Sequence, residues 1–299
     1  MRAQLGSPAI NTSAASMPGS GLIRRWAAGG FSAAGILNAL QPRQGWQLHA
    51  DIPYRPGPRG LLDVYMPAVN TSAPAPLVVF FYGGSWQGGS RKSYRFVAAS
   101  LAAQGIVTVV PDYGVYPQAR YPDFLEDAAQ AVSFARAHAG RWNGNPKHLV
   151  VMGHSAGAYI AAMLTFDKRW LGETGLDPAV DVAGLAGLAG PYDFLPIVDP
   201  VLQEIFGGPD RIDTQPIRYV THGAPPSLLV APRKDSIVGP GNTRRLAAQI
   251  RGRRGKVKEL HFPRVGHLSL VGAFAPSLRF LAPVLADVTA FVRNPAGIR

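Results

Sequence analysis

The sequence contains no cysteine, few acidic residues and no long apolar run. Without cysteine the chain has no disulfide, thiolate zinc site, iron–sulfur cluster or cysteine nucleophile, although its redox compartment stays open. No uncharged apolar run reaches the roughly 18–20 residues that a membrane-spanning helix needs, so we expect no stable membrane span. Apolar residues nevertheless make up 47% of the 299 residues, which excludes a disordered polymer and predicts a large buried core.

The shortage of acidic residues gives the chain a strong positive charge. Thirty Lys and Arg residues stand against 18 Asp and Glu residues, for a formal net charge of +12. One dense basic cluster runs from Arg244 to Lys258, but it lacks the interleaved aromatic residues that stack on bases. We interpret this cluster as a solvated helix face followed by a basic turn, and we expect no nucleic-acid partner.

The first 45 residues differ in composition from the rest of the chain. Residues 1–21 are rich in Ser, Ala, Gly and Pro, which is typical of a disordered leader. An arginine pair at 24–25 precedes an uncharged, moderately apolar stretch at 26–40, as in a secretory signal or an amphipathic surface helix. We expect a leader or anchor-like segment over 1–45, ahead of one domain over 46–299. The localisation stays open between the cytoplasm, which is slightly favoured, and export through an N-terminal signal.

From about residue 48, short apolar runs alternate with helical stretches. This alternation predicts a single α/β domain with a mostly parallel, doubly wound sheet and flanking helices. The segment at 190–226 is the only place for a lid, and its one helical piece, near 201–206, predicts at most a small cap. The predicted strands are 77–82, 106–110, 149–152, 182–188, 227–231 and 257–262, and the predicted helices are 94–104, 122–139, 276–293 and one beginning at 156.

The sharpest local signal is the pattern G-x-S-x-G at residues 153–157. A predicted strand ends just before it and a predicted helix begins just after it, which is the context of a nucleophile elbow. A turn this sharp forces Ser155 into a strained conformation that exposes its hydroxyl, and bulky residues two positions away on either side would collide. The start of the helix supplies backbone N–H groups and the positive end of the helix dipole for a developing oxyanion.

A second glycine-rich element, Tyr82-Gly83-Gly84-Ser85-Trp86, directly follows the first buried strand. Glycine at these positions lets backbone N–H groups approach a substrate oxygen without obstruction. We therefore predict that this loop provides backbone donors to the oxyanion hole.

A serine hydroxyl needs a base and an acid, which follow the serine along the chain in this architecture. Asp235 lies just after the strand at 227–231, and His267 lies in a loop after the last predicted strand, so we predict these two residues as acid and base. The other candidates are Asp193 for the acid and His261 and His222 for the base.

These motifs together resemble the esterase/lipase branch of the α/β-hydrolase superfamily. The resemblance is strongest to the group of BD-FAE-like esterases, kynurenine formamidases and prenylcysteine methylesterases. It implies Ser155 as nucleophile, His267 as base, Asp235 as acid and oxyanion donors from Ala156, Gly84 and Ser85 or Gly83. The motifs that carry it are L-L-D-V-Y-M-P at 61–67, Y-G-G-S-W at 82–86, P-D-Y-G-V-Y-P at 111–117, G-H-S-A-G-A at 153–158 and G-P-Y-D at 190–193.

The chain departs from this group at two positions. Tyr82 stands where the group usually has a histidine that stabilises the loop, and Gly114 stands where many members have an arginine. The second departure predicts that a buried ion pair is missing.

We expect an enzyme that cleaves short-acyl or aryl carboxylic esters without a metal or organic cofactor, acting on a small-molecule ester. The alternatives are an arylformamidase that uses the same three residues and a non-catalytic binding module on the same fold. The oligomeric state stays open. The residues predicted to line the substrate pocket are Trp86, Tyr113, Tyr116, Tyr192 and His154, with the core as the equal alternative for Trp86 and the three tyrosines.

Overall fold

A computed structural model describes residues 33–69 and 72–298. Within them, the apolar runs form the middle of one eight-stranded sheet. Its strands are β1 (Trp46–Pro53), β2 (Leu61–Pro67), β3 (Ala75–Phe81), β4 (Val107–Pro111), β5 (Gly144–His154), β6 (Gly184–Leu188), β7 (Ser227–Pro232) and β8 (Val257–Phe262).

The strand order is β1-β2-β4-β3-β5-β6-β7-β8. Strands β3 to β8 pair in parallel, whereas β2 is antiparallel to both of its neighbours. After β3 the chain pairs β4 on one side and then returns to pair β5 on the other side. In open α/β sheets such a reversal leaves a crevice at the carboxyl ends of the two strands, here β3 and β5, which is where ligands bind.

The helices cover both faces of this sheet. The most deeply buried is α4, which directly follows β5 and in which every residue is buried. The helices are α1 (Ala33–Ala39), α2 (Arg95–Ala102), α3 (Asp123–His138), α4 (Ala156–Phe166), α5 (Lys168–Gly172), α6 (Pro178–Asp181), α7 (Pro200–Phe206), α8 (Gly241–Gly252), α9 (His267–Gly272) and α10 (Val284–Arg293).

The predicted α/β architecture is confirmed, and all six predicted strands are present within a few residues of their expected ends. The prediction did not include β1 and β2, which form an antiparallel edge. The predicted helix over 276–293 is wrong in its first half, because 276–281 forms a 3-10 turn and the helix begins only at Val284. Pro283 explains the break, since a proline disfavours helical backbone in the residue before it, and Ala282 is extended.

The described end of the predicted leader contains α1, which packs on the domain. Ala34 and Leu37 are buried, and the Asn38 side chain donates to the carbonyl oxygen of Lys92 and accepts from the N–H of Phe96. Residues 1–32 of the predicted leader lie outside the described residues. None of the helices within 33–69 and 72–298 has the length and apolar character that crossing a bilayer requires.

The basic cluster forms the exposed face of α8, the turn after it and the start of β8. Several of its side chains have acidic partners. Arg251 lies 2.9 Å from Glu259, and Lys258 lies 3.1 Å from Asp287.

Candidate active site

Ser155 occupies the single-residue turn between β5 and α4. Its backbone has φ 55° and ψ −123°, a left-handed conformation that side-chain-bearing residues rarely adopt. A Cβ on Gly153 would lie 2.1 Å from the carbonyl oxygen of Gly157, and a Cβ on Gly157 would lie 2.0 Å from that of Phe81. The two glycines of the motif are therefore required by close backbone approach.

His267 lies against the Ser155 hydroxyl. Its Nε2 is 2.8 Å from Ser155 Oγ, although the two residues are 112 positions apart in the chain. The sequence predicted a loop at this histidine, and the structure instead makes it the first residue of the short helix α9.

Asp235 completes a Ser–His–Asp arrangement. Its Oδ2 lies 2.8 Å from His267 Nδ1, and its Oδ1 accepts from the backbone N–H groups of Ile237 and Val238, each at 2.9 Å. Burial disfavours the charged carboxylate, but the hydrogen bond and charge of His267 and the two N–H donors outweigh it and lower the pKa of Asp235. An ionised carboxylate can only accept, so the Nδ1 proton faces Asp235 and Nε2 is free to take the serine proton.

The rival residues lie elsewhere. Asp193 forms an ion pair with Arg245 at the surface and does not contact the Ser–His–Asp arrangement. His261 lies within β8, where its Nε2 is 2.8 Å from Glu259, and His222 is exposed. The structure thus brings together the favoured acid and base and not the alternatives.

The glycine loop, residues 82–89, lies beside Ser155. A Cβ on Gly83 would lie 3.0 Å from the Cβ of Ser155, so the loop backbone is in contact with the serine. Ser85 and Trp86 have φ values of 51° and 56°, which places a tight turn next to the serine hydroxyl. Ala156 is the first residue of α4, and the N–H groups of a first helical turn have no acceptor within the helix.

A buried cluster of charges holds the glycine loop from behind. The Tyr82 hydroxyl donates to Asp112 Oδ1 at 2.7 Å and accepts from Arg59 at 2.6 Å. Arg91 is buried between Asp112 and Asp63 and forms ion pairs with both. Burial disfavours the charged guanidinium, but the hydrogen bond to Asp63 and the charge of Asp112 outweigh it and raise the pKa of Arg91.

This cluster corrects the expectation that a buried ion pair is missing. Gly114 has no side chain to supply one, but Arg91 enters from the far end of the glycine loop and pairs with Asp112. Arg59 additionally donates to the carbonyl oxygens of Tyr113 and Gly89, at 2.5 and 3.1 Å. Because both guanidinium groups are distant from residue 114 in sequence, a motif at that position could not reveal them.

A cavity of about 290 Å³ opens next to Ser155. On one side it is bounded by the glycine loop, and on the other by the cap segment, which we define as residues 189–226. Asp199, the N-cap of α7, is the one charged residue among the described residues that line it. Its apolar walls include Trp86, Phe194, Ile197, Val198, Leu202 and Val238.

Only Trp86 of the five residues predicted to line the pocket does so. Tyr113 and Tyr192 are fully buried in the core, Tyr116 lies outside the cavity, and His154 is buried against His267. These four assignments are corrected. Residues near a strand end were correctly placed near the site, but the direction of each ring depends on tertiary packing.

The hydroxyls of two of the misassigned tyrosines, Tyr113 and Tyr116, have other partners. Tyr113 donates to the carbonyl oxygen of Tyr82 at 2.7 Å, and Tyr116 donates to Glu204 at 2.6 Å.

The cavity walls that the sequence did not reveal come from 191–202 and 237–242. The cap had been located in the sequence, but it has no periodicity to indicate which side chains face inward. In the described part of the chain, no group of three or more His, Asp or Glu side chains could hold a metal.

Known proteins resemble this chain in sequence and in fold. The esterase LipC of Mycobacterium tuberculosis is 30% identical over 235 residues, covering 72% of this chain and 58% of that protein. The kynurenine formamidase of Salmo salar is 32% identical over 154 residues, covering 52% of this chain and 49% of that protein. The chain thus spans about half the length of these relatives.

A truncated carbohydrate esterase from gut microbiota superposes with a TM-score of 0.73 at 18% identity, covering 85% of this chain and 98% of that structure. This likeness confirms the predicted α/β-hydrolase fold. The BD-FAE family model matches residues 62–250, more than half of the chain, and includes the glycine loop, Ser155 and Asp235. The chain therefore belongs to the BD-FAE family.

Proposed function

We propose that this protein is a serine hydrolase that cleaves carboxylic esters through an acyl-enzyme intermediate. The observation that carries the proposal is the continuous chain of hydrogen bonds from Ser155 through His267 to Asp235, with both contacts at 2.8 Å. Its likeness to an esterase of similar sequence supports the same conclusion. Such an arrangement activates a serine hydroxyl, which is otherwise a weak nucleophile.

In the first step, Ser155 Oγ attacks the ester carbonyl carbon while its proton moves to His267 Nε2. Asp235 holds the imidazole in the correct tautomer and stabilises the imidazolium. The tetrahedral intermediate then expels the alcohol, which leaves with the proton from His267. The products of this step are the free alcohol and an ester of Ser155.

In the second step, water attacks the acyl-enzyme and gives its proton to His267. The tetrahedral intermediate collapses, Ser155 recovers the proton, and the carboxylic acid leaves. Both tetrahedral intermediates carry a negative oxygen, which we assign to the N–H groups of Ala156, Gly84 and Ser85. The N–H group of Gly83, in the same loop, is the alternative donor to that of Ser85. Each donor contributes on the order of 10²–10³ in rate.

The cavity favours small apolar substrates. Its volume of about 290 Å³ and its mainly apolar walls fit a short acyl chain or an aryl group. We therefore assign short-acyl or aryl esters as the substrate class.

Substitution of the nucleophile tests the reaction. We expect Ser155→Ala to abolish hydrolysis of p-nitrophenyl acetate and covalent labelling by a fluorophosphonate. Ser133→Ala, on α3 and outside the cavity, is the matched control and retains both. Residual activity of Ser155→Ala above a tenth of wild type would disprove the assignment, and an unlabelled wild type would indicate a non-catalytic module.

A panel of substrates tests the proposed substrate class. Purified protein is assayed with p-nitrophenyl acetate, butyrate and laurate, and with N-formylkynurenine, the formyl amide suggested by the formamidase relative. We expect the highest kcat/KM with acetate or butyrate. A higher kcat/KM with N-formylkynurenine would mean that the substrate class is a formyl amide and not an ester. The three residues assigned to the reaction would stay the same.

A further inference from the structure

His154 precedes the nucleophile but does not face the cavity. Its side chain is only 1% exposed, and its ring centroid lies 4.9 Å from that of His267. Its Nε2 lies 3.1 Å from the backbone carbonyl oxygen of His267, and its Nδ1 lies 3.5 Å from the Tyr94 hydroxyl. The reaction as described uses neither nitrogen.

These contacts form a series of hydrogen bonds that all point in the same direction along the series. A carbonyl oxygen can only accept, so the proton of neutral His154 is on Nε2 and Nδ1 is an acceptor. The Tyr94 hydroxyl is then the donor to Nδ1. The series runs from Tyr94 through His154 to His267, and its longer contact is the 3.5 Å between Tyr94 and His154.

We propose that His154 is a positioning residue, which fixes the backbone of the base His267 relative to the nucleophile Ser155 through its Nε2–H. The proposal rests on the hydrolase function above. His154 is covalently bonded to Ser155 and hydrogen-bonded to His267, so one residue sets the separation of the two reacting groups. The glycine loop packs against the same unit, because a Cβ on Gly83 would lie 3.1 Å from His154 Nδ1.

The position of His267 needs such a support. The residue stands at the first position of α9, a helix of only six residues, and must keep Nδ1 and Nε2 each 2.8 Å from different partners. A displacement of about 1 Å at a reacting group can cost about 10²-fold in rate. The hydrogen bond from His154 restrains the backbone from which the base projects.

His154 is also neutral in the folded protein. The titratable groups that face it are Tyr94 and His267, with Asp235 beyond. Burial, followed by repulsion from His267, lowers the pKa of His154 to about 3. A neutral ring adds no positive charge next to the imidazolium that forms on His267 during the reaction.

Two substitutions at residue 154 test the role. His154→Leu removes the donor, and we expect kcat for p-nitrophenyl acetate to fall about 10²-fold with KM within about twofold. His154→Gln keeps an N–H donor near the position of Nε2 and is expected to recover kcat to within about tenfold of wild type. The control is His148→Leu, because His148 also contacts a backbone carbonyl, that of Val292 at 2.6 Å, but far from the site.

A second pair of variants is milder and keeps the test open if His154→Leu does not fold. Tyr94→Phe removes the hydroxyl that faces His154, and we expect a severalfold loss of kcat. Tyr159→Phe is the control, since this equally buried hydroxyl donates instead to Thr214 in the cap segment. If His154 and Tyr94 contributed to stability alone, each variant and its control would lose kcat to a similar extent. Gln and Leu at residue 154 would then also give the same kcat.

A readout without substrate separates this proposal from the function itself. Proton NMR follows the low-field resonance of the His267 Nδ1–H that faces Asp235, which we expect to broaden or move to higher field in His154→Leu and to return in His154→Gln. If wild type fails to react with a fluorophosphonate, the hydrolase function is disproved while the resonance still reports the position of His267. Wild-type kcat and an unchanged resonance in His154→Leu, or equal loss in the Gln and Leu variants, would overturn the proposal.

Discussion

The glycine loop and the cap segment bound the same cavity, but they are anchored by different interactions. Behind the glycine loop, Arg91 forms buried ion pairs with Asp63 and Asp112. Apart from the surface ion pair between Asp193 and Arg245, the cap segment is held by neutral amide contacts. Asn242 Oδ1 accepts from the N–H groups of Tyr192 and Asp193, and Gln215 Oε1 accepts from that of Phe194, at 2.8–2.9 Å.

This difference separates two tasks. Charge-assisted hydrogen bonds in a buried setting fix geometry closely, which the chemistry next to Ser155 requires. Apolar side chains from a half-exposed segment can change without displacing the reacting groups. We therefore expect changes on the side of the Ser–His–Asp arrangement and glycine loop to affect all substrates alike, and changes in the cap segment to affect the preference among them.

The largest expected effect is that of Asp235→Asn. The amide would present an N–H to His267 and favour the wrong tautomer, so we expect kcat to fall by about 10⁴ for every ester tested. The matched control is Asp193→Asn in the cap segment, expected to leave kcat within about twofold. Steady-state kinetics with acetate and butyrate esters measures both, and an equal loss in the two variants would remove the distinction between the regions.

The second effect is on stability. Arg91→Met leaves Asp63 and Asp112 buried without their cation, and breaking a buried pair in this way costs about 3–5 kcal/mol of the free energy of unfolding. In the cap segment, Arg211→Met breaks an exposed pair with Asp213, for which we expect less than about 1 kcal/mol. Urea denaturation gives both values. A loss below about 1 kcal/mol in Arg91→Met would show that the charged cluster does not anchor the glycine loop.

The third effect is on selectivity. Leu202 lines the cavity from α7, and Leu202→Ala would enlarge it, so we expect the ratio of kcat/KM for longer over shorter acyl chains to rise about tenfold. Val201→Ala, at the neighbouring position outside the cavity lining, is the control and leaves the ratio unchanged. Equal changes with all chain lengths would mean that the cap segment acts on the chemistry and not on the preference.

The glycine loop side and the cap segment also differ in how many of their functional residues could be predicted from the sequence. Ser155 was identifiable because a strand, a sharp turn and a helix impose glycine at fixed neighbouring positions. Asp235 and His267 followed from their places after strands at one edge of the sheet. The cavity walls at Phe194 and Leu202 did not, because they belong to a mostly irregular segment with one short helix, whose side-chain directions are set by contacts distant in sequence.

The edge strands and the buried charges were hidden for a related reason. β1 alternates apolar and polar residues, as a strand does, but its edge position and its antiparallel pairing depend on β2. Arg91 looks like any solvent-exposed arginine in the sequence, and only the fold brings it between two aspartates. Local patterns thus predict what one element does, while partners across elements require the structure.

The smallest expected effect is on how strongly the free energy of unfolding depends on pH in the acid range. His154 lies beside the Ser–His–Asp arrangement, and burial, followed by repulsion from His267, lowers its pKa to about 3, against 6.5 for an unperturbed imidazole. Between these values only the unfolded chain binds the extra proton, so the free energy of unfolding decreases as the pH falls below 6.5, by about 1 kcal/mol at pH 5.5. We expect His154→Gln to abolish this slope, whereas His222→Gln in the exposed part of the cap segment retains it. Urea denaturation of the three proteins at pH 7 and 5.5 measures it, and an equal slope in His154→Gln would mean that the buried histidine does not set the acid sensitivity of the site.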